Sequence, residues 1–363
     1  MYLFRVIFHG RSVITDSSCG KARQLAKEYL KTGKLQSEFL QRLLGKIDIL
    51  DERVVIGPGI GEDAAAIDMG DHYLIVKSDP ITFVQDRIGW YAVNINANDI
   101  AAMGGKPQWF LVTMLLPEEG TTTTMIETIM HDLQDSCAEL GISLIGGHTE
   151  VTRGLYQPIL SGTMLGEAEK VKLIRNSCIG EGDLLYITKG VAIEATSIIA
   201  REKRDEVVAQ FGKDFYRRCL HFIEEPGISV MADAHRILDA KGAPRITGMH
   251  DPTEGGVLMG ACEMAAAAGT GLALDTATVP VFEETRLLCD YFSLSPFGLI
   301  ASGALLVAVD PVDRERLESL FDEKGISLIG EFLGKGEGTY LVDTGKRLPF
   351  QPSARDEINR LFE

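Results

Sequence analysis

The chain has 363 residues, with 52 acidic against 36 basic side chains and a net charge of −16. That length suggests two domains, each able to bury a core, and 45% hydrophobic with 24% charged residues exclude wholesale disorder. The acidic excess argues against a nucleic-acid partner, whose phosphates call for clustered Lys and Arg, and no apolar run approaches the ~18 residues of a membrane span.

Residues 1–50 read as a helical extension. Stretches 19–30 and 36–46 have the spacing of two short amphipathic helices, with Leu25, Leu35, Phe39, Leu40, Leu43 and Leu44 as the apolar stripe and Gly33 between them. From Arg53 the pattern changes: residues 53–56 are β-branched, Gly57-Pro58-Gly59-Ile60-Gly61 is a glycine-rich loop, and 73–77 read as a buried strand. A helix is expected over about 88–103, a strand over 109–115, and a helix over 121–140 with Thr124 and Glu127 as a capping box. Strands follow over 142–145, ending in Gly146-Gly147, and over 159–165.

The turn-rich stretch 175–183 suits a domain boundary. Beyond it come a strand over 184–188, helices over 193–201 and 228–240, and a glycine turn at Gly255-Gly256 that opens a helix reaching Ala268. Strands over 272–274, 304–309 and 327–332 and a helix over 310–324 complete the pattern. Both halves read as α+β, giving expected domains over 51–169 and 170–345 and a tail over 346–363. The six cysteines (Cys19, Cys137, Cys178, Cys219, Cys262, Cys289) form no C-x-x-C pair, which excludes a zinc ribbon and favours a reducing compartment. Residues 1–10 lack a signal-peptide pattern, so the cytoplasm is the expected location.

Four acidic positions stand next to glycine or small residues: Glu62-Asp63 after the glycine loop, Asp79 at a strand end, Asn98-Asp99 on the 88–103 helix, and Asp251 in His250-Asp251-Pro252-Thr253-Glu254-Gly255-Gly256. Hard cations such as Mg²⁺ bind through one or two carboxylates plus substrate phosphates, and glycine loops let backbone N–H groups approach phosphate. Each aspartate taken alone reads equally as a turn or cap residue. On the 88–103 helix Trp90, Val93, Ala97, Ile100 and Ala101 share an apolar face, and Asp99 falls nearly opposite, on what reads as a solvated polar face. Asn94, Asn96 and Asn98 flank the stripe at a cost in helix propensity. His148, in Gly146-Gly147-His148-Thr149-Glu150, would emerge at a strand end, as a phosphate or metal contact or as a turn histidine.

Taken in order, Gly61-Glu62-Asp63-Ala64-Ala65, Asn98-Asp99-Ile100-Ala101-Ala102-Met103-Gly104, Gly146-Gly147-His148-Thr149 and Asp251-Pro252-Thr253-Glu254-Gly255-Gly256 resemble the aminoimidazole ribonucleotide (AIR) synthetase superfamily over residues 53–345. Within it the hydrogenase maturation factors of the HypE type are the most similar. The resemblance implies two α+β domains: an N-terminal sheet domain that pairs with a second subunit through a β-barrel, and a C-terminal α/β sandwich domain. It implies a homodimer that binds ATP and Mg²⁺ and acts on an unidentified small-molecule or protein acceptor, with neither nucleic acid nor membrane as partner. Carried over, Asp63, Asp79, Asp99 and Asp251 match the metal positions. Gly59, Gly61, Asp63, Asn98, Gly146, Gly147, His148, Thr149, Gly255 and Gly256 match positions that contact the nucleotide.

Departures accompany the match. HypE proteins finish in a cysteine that carries their chemistry, whereas the last cysteine here is Cys289, so that tail chemistry is not expected. HypE and thiamine-monophosphate kinase carry an aspartate where this chain has His148, as selenophosphate synthetase does not; that enzyme's reactive Cys/Sec with a nearby Lys has no evident counterpart. The implied function is Mg²⁺- and ATP-dependent activation or phosphorylation of an oxygen by phosphoryl transfer. The alternatives are a non-catalytic ATP-binding maturation scaffold and a small-molecule kinase of the thiamine-monophosphate type.

Overall fold

The computed structural model describes residues 33–362 apart from 36, 83, 323, 324 and 354; the helix expected over 19–30, with Leu25, lies outside them. α1 (Ser37–Leu44) stands where the second short helix is expected, with Leu40 and Leu44 half-buried and Leu35, Phe39 and Leu43 exposed.

The first half is built from β1 (Val54–Ile56), β2 (Ala65–Asp68), β3 (His72–Ile81), α2 (Ile88–Ala102), β4 (Lys106–Pro117), α3 (Thr123–Leu140), β5 (Ser143–Thr152) and β6 (Ile159–Glu169). Its six strands lie in the order β1-β2-β3-β6-β4-β5, with only the β4–β5 pair parallel. β6 alternates strictly, with Leu160, Gly162, Met164, Gly166 and Ala168 inward, the period-2 signature of a sheet covered on one face. Two of those inward residues are glycines because α2 lies on them. A Cβ on Gly162 would stand 2.5 Å from Asn96 Nδ2, and one on Gly166 would stand 2.4 Å from Ile100 Cγ2.

Three expectations are corrected here. α2 has no solvated face: every residue but Trp90 is buried, Asp99 included, because the helix is covered by β3, β6 and α3 and by α7 (Met231–Leu238) of the second half. The cap of α3 is Thr122, whose hydroxyl accepts from Met125 N at 3.1 Å, in place of Thr124. β5 does not end at Gly146-Gly147 but runs through them. The register against β4 slips there, with Phe110 opposite Leu144 and Leu111 opposite Gly146, a bulge that the two positive-φ glycines permit.

The second half comprises β7 (Leu184–Thr188), α4 (Ile193–Glu202), α5 (Arg204–Phe211), α6 (Lys213–His221), α7, β8 (Ile246–His250), α8 (Gly256–Ala268), β9 (Thr270–Leu274), α9 (Glu283–Phe292), β10 (Leu306–Val309), α10 (Arg314–Glu318), β11 (Ile326–Lys335), β12 (Thr339–Asp343) and β13 (Lys346–Pro349). Seven strands follow the order β13-β12-β9-β11-β7-β10-β8, only β12–β9 being parallel. The helix expected over 310–324 is only α10, because Asp310 caps a separate turn by accepting from Val312 N. The helix expected from 228 begins at Met231. The final stretch is bound into this half: Asp356 and Ile358 are buried, and Asp356 Oδ2 accepts from Gly255 N at 2.7 Å.

Candidate functional site

Asparagines on α2 do the joining that positions the site. Asn96 Oδ1 accepts from Asp79 N at 3.0 Å, and its Nδ2 donates to Asp79 O at 3.3 Å and Ala92 O at 2.9 Å, pinning the end of β3 to the helix. Asn98 donates to Ile228 O at 2.7 Å and accepts from Val230 N at 2.9 Å, pinning the second half to the same helix. The propensity lost to these residues is offset by buried hydrogen bonds that satisfy backbone groups on both sides. Asn98 spends both ends of its amide this way.

A cavity of about 330 Å³ lies over that junction, and Gly59, Gly61, Asp63, Asp79, Asp99 and Asp251 all line it. Lys77, Glu62, His250 and Glu263 join them. Lys77 Nζ stands 2.9 Å from Asp99 Oδ1 and 3.5 Å from Asp79 Oδ2. His250 Nδ1 stands 2.5 Å from Asp63 Oδ1, and its Nε2 lies 3.4 Å from Glu263 Oε2.

Burial and mutual repulsion shape the protonation of this cluster. Burial raises the Asp99 carboxyl well above the usual carboxylate range; Lys77 opposes the shift, while Asp251, Asp79 and Asp63 add to it. Asp251 is pushed up to about 8 by burial and by Asp63. Burial works against charge on Lys77 and His250, but the surrounding carboxylates outweigh it, so both stay cationic. Five buried carboxylate oxygens of this cavity (Glu62 Oε2, Asp63 Oδ2, Asp99 Oδ2 and both of Asp251) have no hydrogen-bond partner among the described residues. Asp63, His250 and Asp251 each offer a ligand atom within 4.8 Å of the others. With His250 Nδ1 engaged by Asp63, the free donors are oxygens, which fits a hard divalent cation.

Other expected positions lie elsewhere. Gly146, Gly147, His148 and Thr149 sit on β5, an edge strand with most side chains exposed, and none lines the cavity; His148 Nε2 faces Glu150 Oε2 at 3.3 Å. Gly147 is fixed by packing, since a Cβ there would meet Val112 O at 1.9 Å. Gly61 lines the cavity but also has a packing reason: at φ +78° its Cβ would stand 2.2 Å from Glu263 O of α8. Gly255 and Gly256 form the positive-φ turn into α8, and the Gly255 N–H is taken by Asp356.

Lys77 and Glu263 were not singled out as site residues by the sequence reading. Lys77 precedes Asp79 by two residues on one strand and so shares its face. Glu263 is the single charge in an otherwise apolar, alanine-rich helix. Both signals were legible.

Two α+β domains, each centred on its own sheet, with a carboxylate-rich cleft at their junction, define a recognised class. Residues 61–168 match the N-terminal domain, and residues 180–343 the C-terminal domain, of the AIR synthase related proteins. The chain belongs to that family. It is 25% identical over 333 residues to a protein named for hydrogenase expression/formation from Methanocaldococcus jannaschii, covering 88% of this chain and 94% of that one. It is 25% identical over 319 residues to the selenide, water dikinase of Colwellia psychrerythraea, covering 78% and 87%. The solved structure of the hydrogenase maturation protein HypE in complex with ATP shares the fold, with TM-score 0.66, 18% identity, and coverage of 89% and 91%. Among the described residues no helix is long and apolar enough to cross a membrane.

Proposed function

We propose that this protein binds ATP with Mg²⁺ in the cleft over α2 and activates or phosphorylates an oxygen of an acceptor by phosphoryl transfer, in the manner of HypE-type maturation factors. The observation that carries the reading is the convergence of Asp63, Asp79, Asp99 and Asp251, from four separate segments, on one cavity where five carboxylate oxygens, one of them from Glu62, are unpartnered among the described residues. So dense a set of buried acids is costly unless cations compensate it.

In this reading Asp63, Asp79, Asp99 and Asp251 hold Mg²⁺. The ion when bound neutralises phosphate charge, which together with positioning supplies most of the catalysis in phosphoryl transfer. His250 orients Asp63 and keeps its second oxygen free. Lys77, standing beside Asp99 and Asp79, would offer a positive charge to the polyphosphate. The β5 edge, with Ile145 and Val151 exposed, supports a homodimer formed along that strand.

A thermal-shift series with ATP, with and without Mg²⁺, tests the reading. Stabilisation is expected only when both are present, and it should vanish in Asp99→Asn while the apo fold persists. Unchanged nucleotide affinity in that variant would sink the assignment. Stabilisation with no ADP release under any acceptor would mark a binding scaffold.

A further inference from the structure

A groove of about 420 Å³ lies between α5 and α6 and shares no lining residue with the cleft. Val208 of α5 and Tyr216 of α6, both half-buried, give it an apolar floor. Arg204, Lys213 and Arg217 stand around that floor against a single acid, Asp205. The core-facing side chains of the two helices hold the hairpin in place: Val207, Phe215 and Cys219 are buried, and Phe211 stacks on Phe215 with ring centroids 4.6 Å apart.

Three cations to one acid is a local inversion in a chain that carries 52 acids to 36 bases. Most cations of this stretch have a carboxylate at hand: Arg201 meets Asp86, Lys203 meets Glu206 at 3.8 Å, Arg217 meets Asp214 at 3.1 Å and Arg218 meets Glu284 at 2.9 Å. Arg204 and Lys213 have none among the described residues, and the Arg204 guanidinium lies 5.9 Å from the centre of the Tyr216 ring. Both are exposed, so neither charge is spent on folding the hairpin. Two open positive charges on facing helices, with an apolar floor between them, complement two carboxylates that flank an apolar side chain. The negative field of the whole chain repels a long polyanion such as a nucleic acid, whereas a short segment meets only the groove.

We propose that the α5–α6 groove docks an acidic segment of a partner protein. An apolar side chain of that segment sits on Val208 and Tyr216, and a carboxylate on either side of it pairs with Arg204 and Lys213. The proposal is independent of the nucleotide reading, since the groove holds none of the residues assigned to ATP or Mg²⁺.

Isothermal titration calorimetry on the full chain tests this with the end-capped peptide Gly-Glu-Leu-Glu-Gly and its neutral counterpart Gly-Gln-Leu-Gln-Gly. The acidic peptide should bind, more weakly as salt rises, and the neutral one should not. Gly-Glu-Ser-Glu-Gly, which lacks the apolar side chain, should bind more weakly than the leucine peptide. Arg204→Glu and Lys213→Glu should each weaken binding of the acidic peptide by about fivefold, and the double variant should abolish it. These residues open α5 and α6, where an acid suits a helix N-terminus, so circular dichroism and the melting temperature should match wild type. Absent binding of the acidic peptide, equal binding of the acidic and neutral peptides, or unchanged binding in the folded double variant would overturn the proposal. So would single-stranded RNA or phosphatidylserine vesicles that bind through Arg204 and Lys213 more tightly than the peptide.

Discussion

The Lys77 ammonium lies 2.9 Å from Asp99 Oδ1, with Asp79 on its other side at 3.5 Å. Within the cleft it occupies the place a divalent cation would take among the same acids. Replacing Lys77 with Met leaves Asp99 buried without its counter-charge, a loss of about 3 kcal/mol. Chemical denaturation should report that loss without metal, and Mg²⁺ should restore part of it. A Lys77→Met protein as stable as wild type in both conditions would show that the pairing contributes nothing.

Asn98 serves as a clamp. Asn98→Ala orphans Ile228 O and Val230 N, both buried groups, and should cost about 2–4 kcal/mol in urea unfolding. Any loss of nucleotide affinity should be removed by working well below the transition. A nucleotide defect that persists in fully folded protein would instead put Asn98 in contact with the ligand.

The turn into α8 carries a pH signature. Burial, outweighing the N–H groups of Ile358, Gly255 and Ile300, pushes Asp356 up to about 6. An acid whose folded pKa lies above its unfolded one holds its proton more tightly in the native state. Its contribution is therefore full at low pH and is lost as pH rises through about 6. Asp356→Asn should remove up to about 3 kcal/mol of the fall in unfolding free energy across roughly pH 4–6. Equal slopes for variant and wild type would contradict the shift.

At Gly61 a methyl group has no room. Gly61→Ala sets a Cβ 2.2 Å from Glu263 O at a φ of +78°, so the loop bearing Asp63 and the helix bearing Glu263 must separate. The melting temperature should drop by several degrees, with weaker Mg²⁺-dependent nucleotide stabilisation; Gly59→Ala, whose Cβ meets only Glu62 Cγ at 3.6 Å, should leave the melting temperature of the ligand-free protein nearly unchanged.

Element identity was legible wherever periodicity was strong: the expected 88–103 helix is α2, and 159–165 lies within β6. What spacing concealed was burial. Asp99 opposite an apolar stripe reads as solvated only if one face of the helix is free, and here a second layer of chain covers it. The acidic positions were readable because small neighbours flank them, and Lys77 was readable from its place two residues before Asp79 on the same strand. His148 was drawn toward the site by assuming a strand end that a glycine bulge carries onward. Convergence of distant segments is a long-range property that local pattern does not encode.

Because α2 is gripped through Asn96 on one side and Asn98 on the other, Asp99 rides on a part that has nowhere to go. Adjustment to ligands of different girth therefore falls to the mouth of the cleft, where the loop before β2 and the stretch around Lys34 meet it, while its base stays a fixed anvil.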